Sequence, residues 1–328
     1  MAPRSSRTGR RPTTVRALVL CGSLAPLVAL HSGARASSAQ ETAPRARRHL
    51  TQTSNPVRSG ELTFTSIRDN RYWDISLMNV RSGVVRRITR QTFTVMACDW
   101  THDGNRLVFI TDRDGNLEVY TMASDGSDWR RVTATPAHDY GPEWSPDLGH
   151  IVYAEDAGGG KTDIFVVDPD GSNRVKLTSG TAGGAGPVWS PDGTRIAYVS
   201  GAAIKVMNSD GSSPVTLYSD GAQKLTADWS PTGSHIMFMS KQSGIFKLHT
   251  IRLADGAIDA IPTAEYDAWA ARWSPDGSLM SFYSYGIGSE GFASGMFAVF
   301  LMNPDGSNLR QVTTLTPDDR SWHPIWRP

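Results

Sequence analysis

Val188-Trp189-Ser190-Pro191-Asp192-Gly193-Thr194-Arg195-Ile196-Ala197-Tyr198-Val199-Ser200 carries a complete instruction for reversing a β-chain. An apolar residue and a Trp end one strand, Ser-Pro-Asp-Gly turns, and an alternating apolar segment opens the next strand. Pro presets φ near −65° inside the turn and Gly supplies the positive φ that closes it. Aligned on the Trp, further copies are Asp99-Trp100-Thr101-His102-Asp103-Gly104, Glu143-Trp144-Ser145-Pro146-Asp147, Asp228-Trp229-Ser230-Pro231-Thr232-Gly233 and Arg272-Trp273-Ser274-Pro275-Asp276-Gly277, with Ile325-Trp326 last. The spacings are 44, 45, 40, 44 and 53 residues. A period in the forties that holds four strand-sized segments is that of a β-propeller blade.

Outward from the turn, the alternation predicts second strands at 106–111, 150–155, 195–200, 235–240 and 279–284, and third strands at 117–122, 163–167, 203–208, 246–252 and 296–303. A second Asp-Gly turn follows each third strand, as in Ser124-Asp125-Gly126-Ser127 and Pro304-Asp305-Gly306-Ser307. These turns look like fragments of calcium loops, but strands flank them and the remaining ligand positions are missing, so they read as hairpins. Three further strands, at 61–66, 74–79 and 84–89, have no Trp strand ahead of them. Six inner strands match six outer sets only if residues 321–326 complete the first blade. The expected fold is all-β: a six-bladed β-propeller, over residues 60–328, closed by its C-terminal strand joining the N-terminal blade. Closure removes edges that invite aggregation.

Residues 1–39 read as a secretory signal peptide, with Arg4, Arg7, Arg10, Arg11 and Arg16 ahead of an apolar run at 17–30 that is too short to span a bilayer. Residues 40–59, rich in Thr, Pro, Arg and Ser, read as a flexible arm. Removing the leader leaves 27 of the 33 basic residues against 32 acidic ones, a net charge near −5. That balance offers no basic face, so nucleic acid is not an expected partner. Cys98, two residues before Trp100, reads as a small buried apolar side chain. The expected localisation is periplasmic or secreted.

The Trp-Ser-Pro-Asp-Gly repeat resembles that of the TolB propellers of the Tol-Pal cell-envelope system and, more broadly, WD-type propellers. It covers residues 60–328 and is specific for the fold rather than for one activity. TolB proteins carry an α/β domain ahead of the propeller, where this sequence has the arm. The resemblance implies an exported, non-enzymatic binding module, with an envelope protein or peptide as partner and no cofactor. The repeat also resembles propellers of the oligogalacturonate lyase family, which implies the alternative: a metal-dependent enzyme acting on extracellular oligosaccharides.

Loops from fourth to first strand and from second to third strand lie on one face, around the channel mouth. Four residues before the six Trp stand Met96, Tyr140, Ala185, Leu225, Trp269 and Trp322; two residues before stand Cys98, Pro142, Pro187, Ala227, Ala271 and Pro324. The compact second set suits a crowded axis. The aromatics of the first set, with His138, Asp139, Tyr266, Asp267, Arg320 and His323, make an expected partner-binding mouth, since aromatic rings offer contact area at little entropic cost. The alternative for these rings is ordinary packing between blades. Trp100, Trp144, Trp189, Trp229, Trp273 and Trp326 are read as structural repeat positions. The Gly-rich insertion at 285–295 accounts for the 53-residue spacing and is a candidate specificity loop. No Gly-x-Ser-x-Gly or His-Glu-x-x-His motif occurs. Only His138 and His323 fall near the mouth, which assigns neither a catalytic residue nor a metal site.

Overall fold

Each Ser-Pro-Asp-Gly turn is fastened by its own Ser and Asp. Ser190 Oγ donates to Asp192 Oδ1 at 2.6 Å and accepts the Arg195 N–H at 2.9 Å, while Asp192 Oδ1 also accepts the Thr194 N–H at 3.0 Å. These bonds, the Ser190 hydroxyl first, hold the Asp192 carboxyl down to about 2. Ser145 with Asp147 and Ser274 with Asp276 repeat the arrangement, and Thr101 takes the place of Ser beside Asp103. The motif is therefore conserved along the chain as a local hydrogen-bond network that fixes where the second strand begins.

The computed structural model describes residues 60–68, 72–178, 183–264, 266–284, 297–313 and 320–328. The leader, the arm and the insertion at 285–295 lie outside these. The first outer strands are β1 (Glu61–Arg68), β2 (Tyr72–Asn79) and β3 (Val85–Arg87). The second blade is β4 (Val95–Trp100), β5 (Arg106–Thr111), β6 (Glu118–Ala123) and β7 (Arg130–Arg131). The third is β8 (Asp139–Trp144), β9 (Ile151–Gly158), β10 (Lys161–Val167) and β11 (Val175–Lys176). The fourth is β12 (Ala185–Trp189), β13 (Arg195–Ser200), β14 (Ala203–Asn208) and β15 (Val215–Ser219). The fifth is β16 (Lys224–Trp229), β17 (His235–Gln242), β18 (Ile245–Arg252) and β19 (Ile258–Ile261). The sixth is β20 (Trp269–Trp273), β21 (Met280–Ser284), β22 (Ala298–Met302) and β23 (Arg310–Gln311). The last strand is β24 (Arg320–Arg327).

All six sheets are four-stranded and antiparallel, and the one that breaks sequence order is β24-β1-β2-β3. Its register pairs Leu62 with Trp326 and Thr63 with Ile325, so the expected closure of a six-bladed, all-β propeller is what the chain adopts. Arg327 extends the latch into the next blade, with Nε donating to the Gly104 carbonyl at 3.0 Å and Nη1 reaching Glu61 Oε2 at 2.6 Å. The fourth strands are short and carry the exposed apolar residues Val85, Val175 and Val215, with exposed Val84 just ahead of β3. Short outer strands limit the unpaired edge that every open sheet presents.

Blades interlock through the apolar core between sheets and through the turns. Gly171, at φ +87°, approaches the preceding blade so closely that a Cβ there would stand 2.6 Å from the Val132 carbonyl oxygen. Only glycine meets both demands. Trp100 bridges two blades in another way, donating from Nε1 to Thr63 Oγ1 at 2.7 Å while its ring is buried among Ile75, Leu107 and Ile325.

A chain ending at residue 319 lacks β24 and leaves β1 with an open edge. Its thermal unfolding, followed by circular dichroism, is expected to lose the single cooperative transition of the full chain; a melt matching the full chain would refute the latch.

Candidate functional site: the axis and the mouth

Every inner strand is bulged two or three residues before its Trp. The ladder shifts register between Tyr140 and Glu143, Ala185 and Val188, and Trp269 and Arg272, with counterparts in β4, β16 and opposite Thr63/Thr65. Three residues before the Trp, Gly141, Gly186, Ala270 and His323 have φ of +54°, +55°, +45° and +57°. Two are glycines; Ala270 and His323 hold a left-handed conformation that L-residues disfavour by about 1–2 kcal/mol. The bulge also explains the residue that follows it. Pro142, Pro187 and Pro324 stand where a residue without an N–H loses no ladder bond.

Past the bulge, the residue immediately before the Trp faces the next blade and the axis. Asp99 Oδ2 accepts the Trp144 N–H at 2.9 Å, Glu143 Oε1 the Trp189 N–H at 2.8 Å, and Asp228 Oδ2 the Trp273 N–H at 2.8 Å. Val188 and Ile325 occupy the same place in the fourth and first blades, and Arg272 in the sixth. Arg272 Nη1 lies 3.2 Å from Asp228 Oδ1 and 3.4 Å from Glu143 Oε2. Glu143 belongs to the third blade and Arg272 to the sixth, opposite it in a ring of six, so their contact crosses the axis.

This axial cluster holds three carboxylates against one guanidinium. Burial pushes the Asp99 carboxyl up to about 7, with the Trp144 N–H and Arg272 working the other way. Burial raises Glu143 well above the usual range, Asp99 adding to the effect, and raises Asp228 against the pull of Arg272. Burial disfavours the charge on Arg272, but Asp228, Glu143 and Asp99 more than offset it. In the sequence the set is the column Asp99, Glu143, Asp228 and Arg272, the residue immediately before each Trp.

The residues expected at the mouth divide. Tyr140, Trp269 and Trp322 are buried, at 5%, 4% and 2% exposure. Trp269 packs on Phe246 at 4.7 Å, and Trp322 packs on Trp73 at 4.7 Å and on Tyr283 at 6.0 Å. These rings serve the interior between blades. Asp267 is also buried and its Oδ1 accepts the Phe246 N–H at 2.6 Å. Asp139 is buried, and that burial pushes its carboxyl up to about 8; the Thr133 hydroxyl opposes the shift and the Glu118 charge adds to it. His323 is buried in the bulge of β24, while Arg320 opens that strand. His138 and Tyr266 remain half-buried: His138 Nδ1 accepts the Leu117 N–H at 3.0 Å, and the Tyr266 ring lies 4.6 Å from Phe300. His138 and Tyr140 stand together in the third blade, with ring centroids 6.2 Å apart, while Trp269 and Trp322 share Tyr283 between the sixth and first blades. Among the described residues no group of three or more His, Cys, Asp or Glu is placed to hold a metal ion.

A raised carboxyl keeps, in the folded state, a proton that the unfolded chain releases, so Asp99 lowers stability as pH rises from about 4 to about 7. Asp99→Asn keeps an acceptor for the Trp144 N–H without the charge. It is expected to be more stable than the unsubstituted chain at pH 8 by roughly 1–2 kcal/mol and equal to it near pH 4. Arg272→Met should do the reverse, costing about 3 kcal/mol at pH 8 and less at pH 5, where the carboxylates take up protons. Urea denaturation across this pH range checks both.

The sequence profile described as the TolB beta propeller domain matches residues 54–203. An uncharacterized protein of Agrobacterium fabrum is 33% identical over 91 residues, which is 28% of this chain and 31% of that protein. Dipeptidyl-peptidase 5 of Porphyromonas endodontalis is 28% identical over 96 residues, 29% of this chain and 14% of the enzyme. The matches thus span less than a third of the length of either curated relative. The crystal structure of TolB from Acinetobacter baumannii superposes with a TM-score of 0.68 at 14% identity, covering 82% of this chain and 67% of that one. Among the described residues no helix is long and apolar enough to cross a membrane. The chain is thus a six-bladed β-propeller, and residues 54–203 within it match the TolB beta propeller domain.

Proposed function

We propose that this chain is an exported, non-enzymatic binding module that recognises a cell-envelope protein or peptide at the mouth of its propeller. The observation that carries the reading is the way the axis is used. Asp99, Glu143 and Asp228 spend their oxygens on the N–H groups of neighbouring blades, and Arg272 joins blades across the ring. Such an axis holds the rim still, and a rigid rim lowers the ordering cost of presenting a binding surface. Half-buried His138 and Tyr266 offer polar and aromatic edges there, backed by the buried rings of Tyr140, Trp269 and Trp322. TolB-like architecture and the leader-like residues 1–39 support a place in the envelope, periplasmic or secreted, with the mature chain starting near residue 40.

The alternative carried by sequence resemblance is a metal-dependent enzyme acting on extracellular oligosaccharides, and the peptidase relative keeps an enzymatic role in view. One experiment separates these readings. A photo-crosslinking residue at position 138 or 266, introduced in cells, is expected to capture the same envelope protein from both positions, and not from position 215 on an outer strand. Absence of position-dependent capture, together with divalent-metal-dependent cleavage of an acidic oligosaccharide by the purified chain, would overturn the proposal in favour of the enzyme.

A further inference from the structure

Between the first and second blades three aromatic rings surround a single cation. The guanidinium carbon of Arg113 lies 5.8 Å from the centroid of Phe93, 5.4 Å from Tyr120 and 5.8 Å from Trp129. The rings come from three separate segments: Phe93 from the connection between β3 and β4, Tyr120 from β6, and Trp129 from the turn before β7. They are set as walls rather than as a stack, with Phe93 and Trp129 at 81° and Tyr120 and Trp129 at 60°. Trp129 is locked by its Nε1 bond to the Gly126 carbonyl at 2.8 Å, and the Tyr120 hydroxyl is tied to Asp114.

Arg113 is held differently from Arg174 and Arg327, which also lie over rings. Arg174 lies over one ring and is also hydrogen-bonded at 2.6 Å to both Tyr153 Oη and Glu155 Oε2; Arg327 lies over Trp100 and bonds Glu61 and Gly104. Arg113 meets three rings, and Asp114 Oδ1 stands 3.8 Å from its Nε, beyond hydrogen-bond range. Asp114 is instead engaged by Tyr120 and, at 3.4 Å, by Arg131. The Arg113 side chain is 40% exposed and springs from the turn closed by the Gly115 N–H on the Asp112 carbonyl at 3.0 Å. Ring faces therefore supply its attraction, with a carboxylate at the cage edge to balance charge.

We propose that Phe93, Tyr120 and Trp129 form a binding cage for a quaternary ammonium group, and that Arg113 is a resident side chain which the ligand displaces. A trimethylammonium group has no N–H to donate, so a site built of ring faces satisfies it fully, whereas a primary ammonium would forfeit its hydration there. The turn that carries Arg113 is at the surface, and the guanidinium can leave for water without breaking a bidentate pair.

Choline chloride titrated into the full chain by calorimetry tests this. Arg113→Ala is expected to bind choline at least tenfold more tightly than the unsubstituted chain, and to prefer it to ethanolamine by a similar factor. Adding Trp129→Leu, or separately Phe93→Leu, to Arg113→Ala should abolish binding while the melting transition persists. Vesicles of phosphatidylcholine form a second arm: binding to them and not to free choline assigns the group to a lipid headgroup. A folded Arg113→Ala that binds neither, or binding that survives loss of Trp129 and Phe93, would overturn the proposal.

Discussion

Pairing of β24 with β1 is the constraint on which the rest of the molecule depends. Without it the first blade is a three-stranded sheet with its inner side missing, and Trp100 loses the wall that Ile325 provides. With it, each sheet has a neighbour on both sides and edges are confined to outer strands as short as two residues. The latch is extensive, since eight-residue strands face one another and Arg327 ties the seam to the second blade. Its strength is distributed along the ladder rather than lodged in one contact.

The axis trades stability for definition. Three carboxylates and a guanidinium withdrawn from water cost more than apolar residues of the same volume would, as buried ion pairs commonly do. What the arrangement gives is direction: each carboxylate accepts the N–H at the head of the next blade, and one Arg joins blades that share no strand contact. In the fourth and first blades Val188 and Ile325 stand in this place, and the Val188 carbonyl accepts the Trp229 Nε1–H of the next blade at 3.3 Å.

Most of the fold was legible in sequence because turns and strand periods are local. Residues 106–111, 195–200 and 203–208 form strands with the expected bounds. Third-blade strand β9 instead runs from Ile151 to Gly158, starting one residue later and ending three residues later than expected. Closure was legible too, from the count of inner and outer strands. The chemistry of the columns was not. Simple alternation sorts positions before the Trp by parity, but a bulge resets the faces, so the rings of Tyr140, Trp269 and Trp322 enter the interior and the residue adjoining the Trp reaches the axis. Glycine at 141 and 186 hinted at the bulge; Ala270 and His323 concealed it.

Because the first blade borrows a strand from residues 320–327, the toroid cannot exist while the chain is still being made or threaded through a pore. Until that segment emerges, every blade behind it waits in an unclosed arc, with the edge of β1 available to any passing strand. A polypeptide arranged in this way is well matched to travelling extended and folding on arrival, and its exposure to misassembly is greatest in the interval just before the last turn of the ring is delivered.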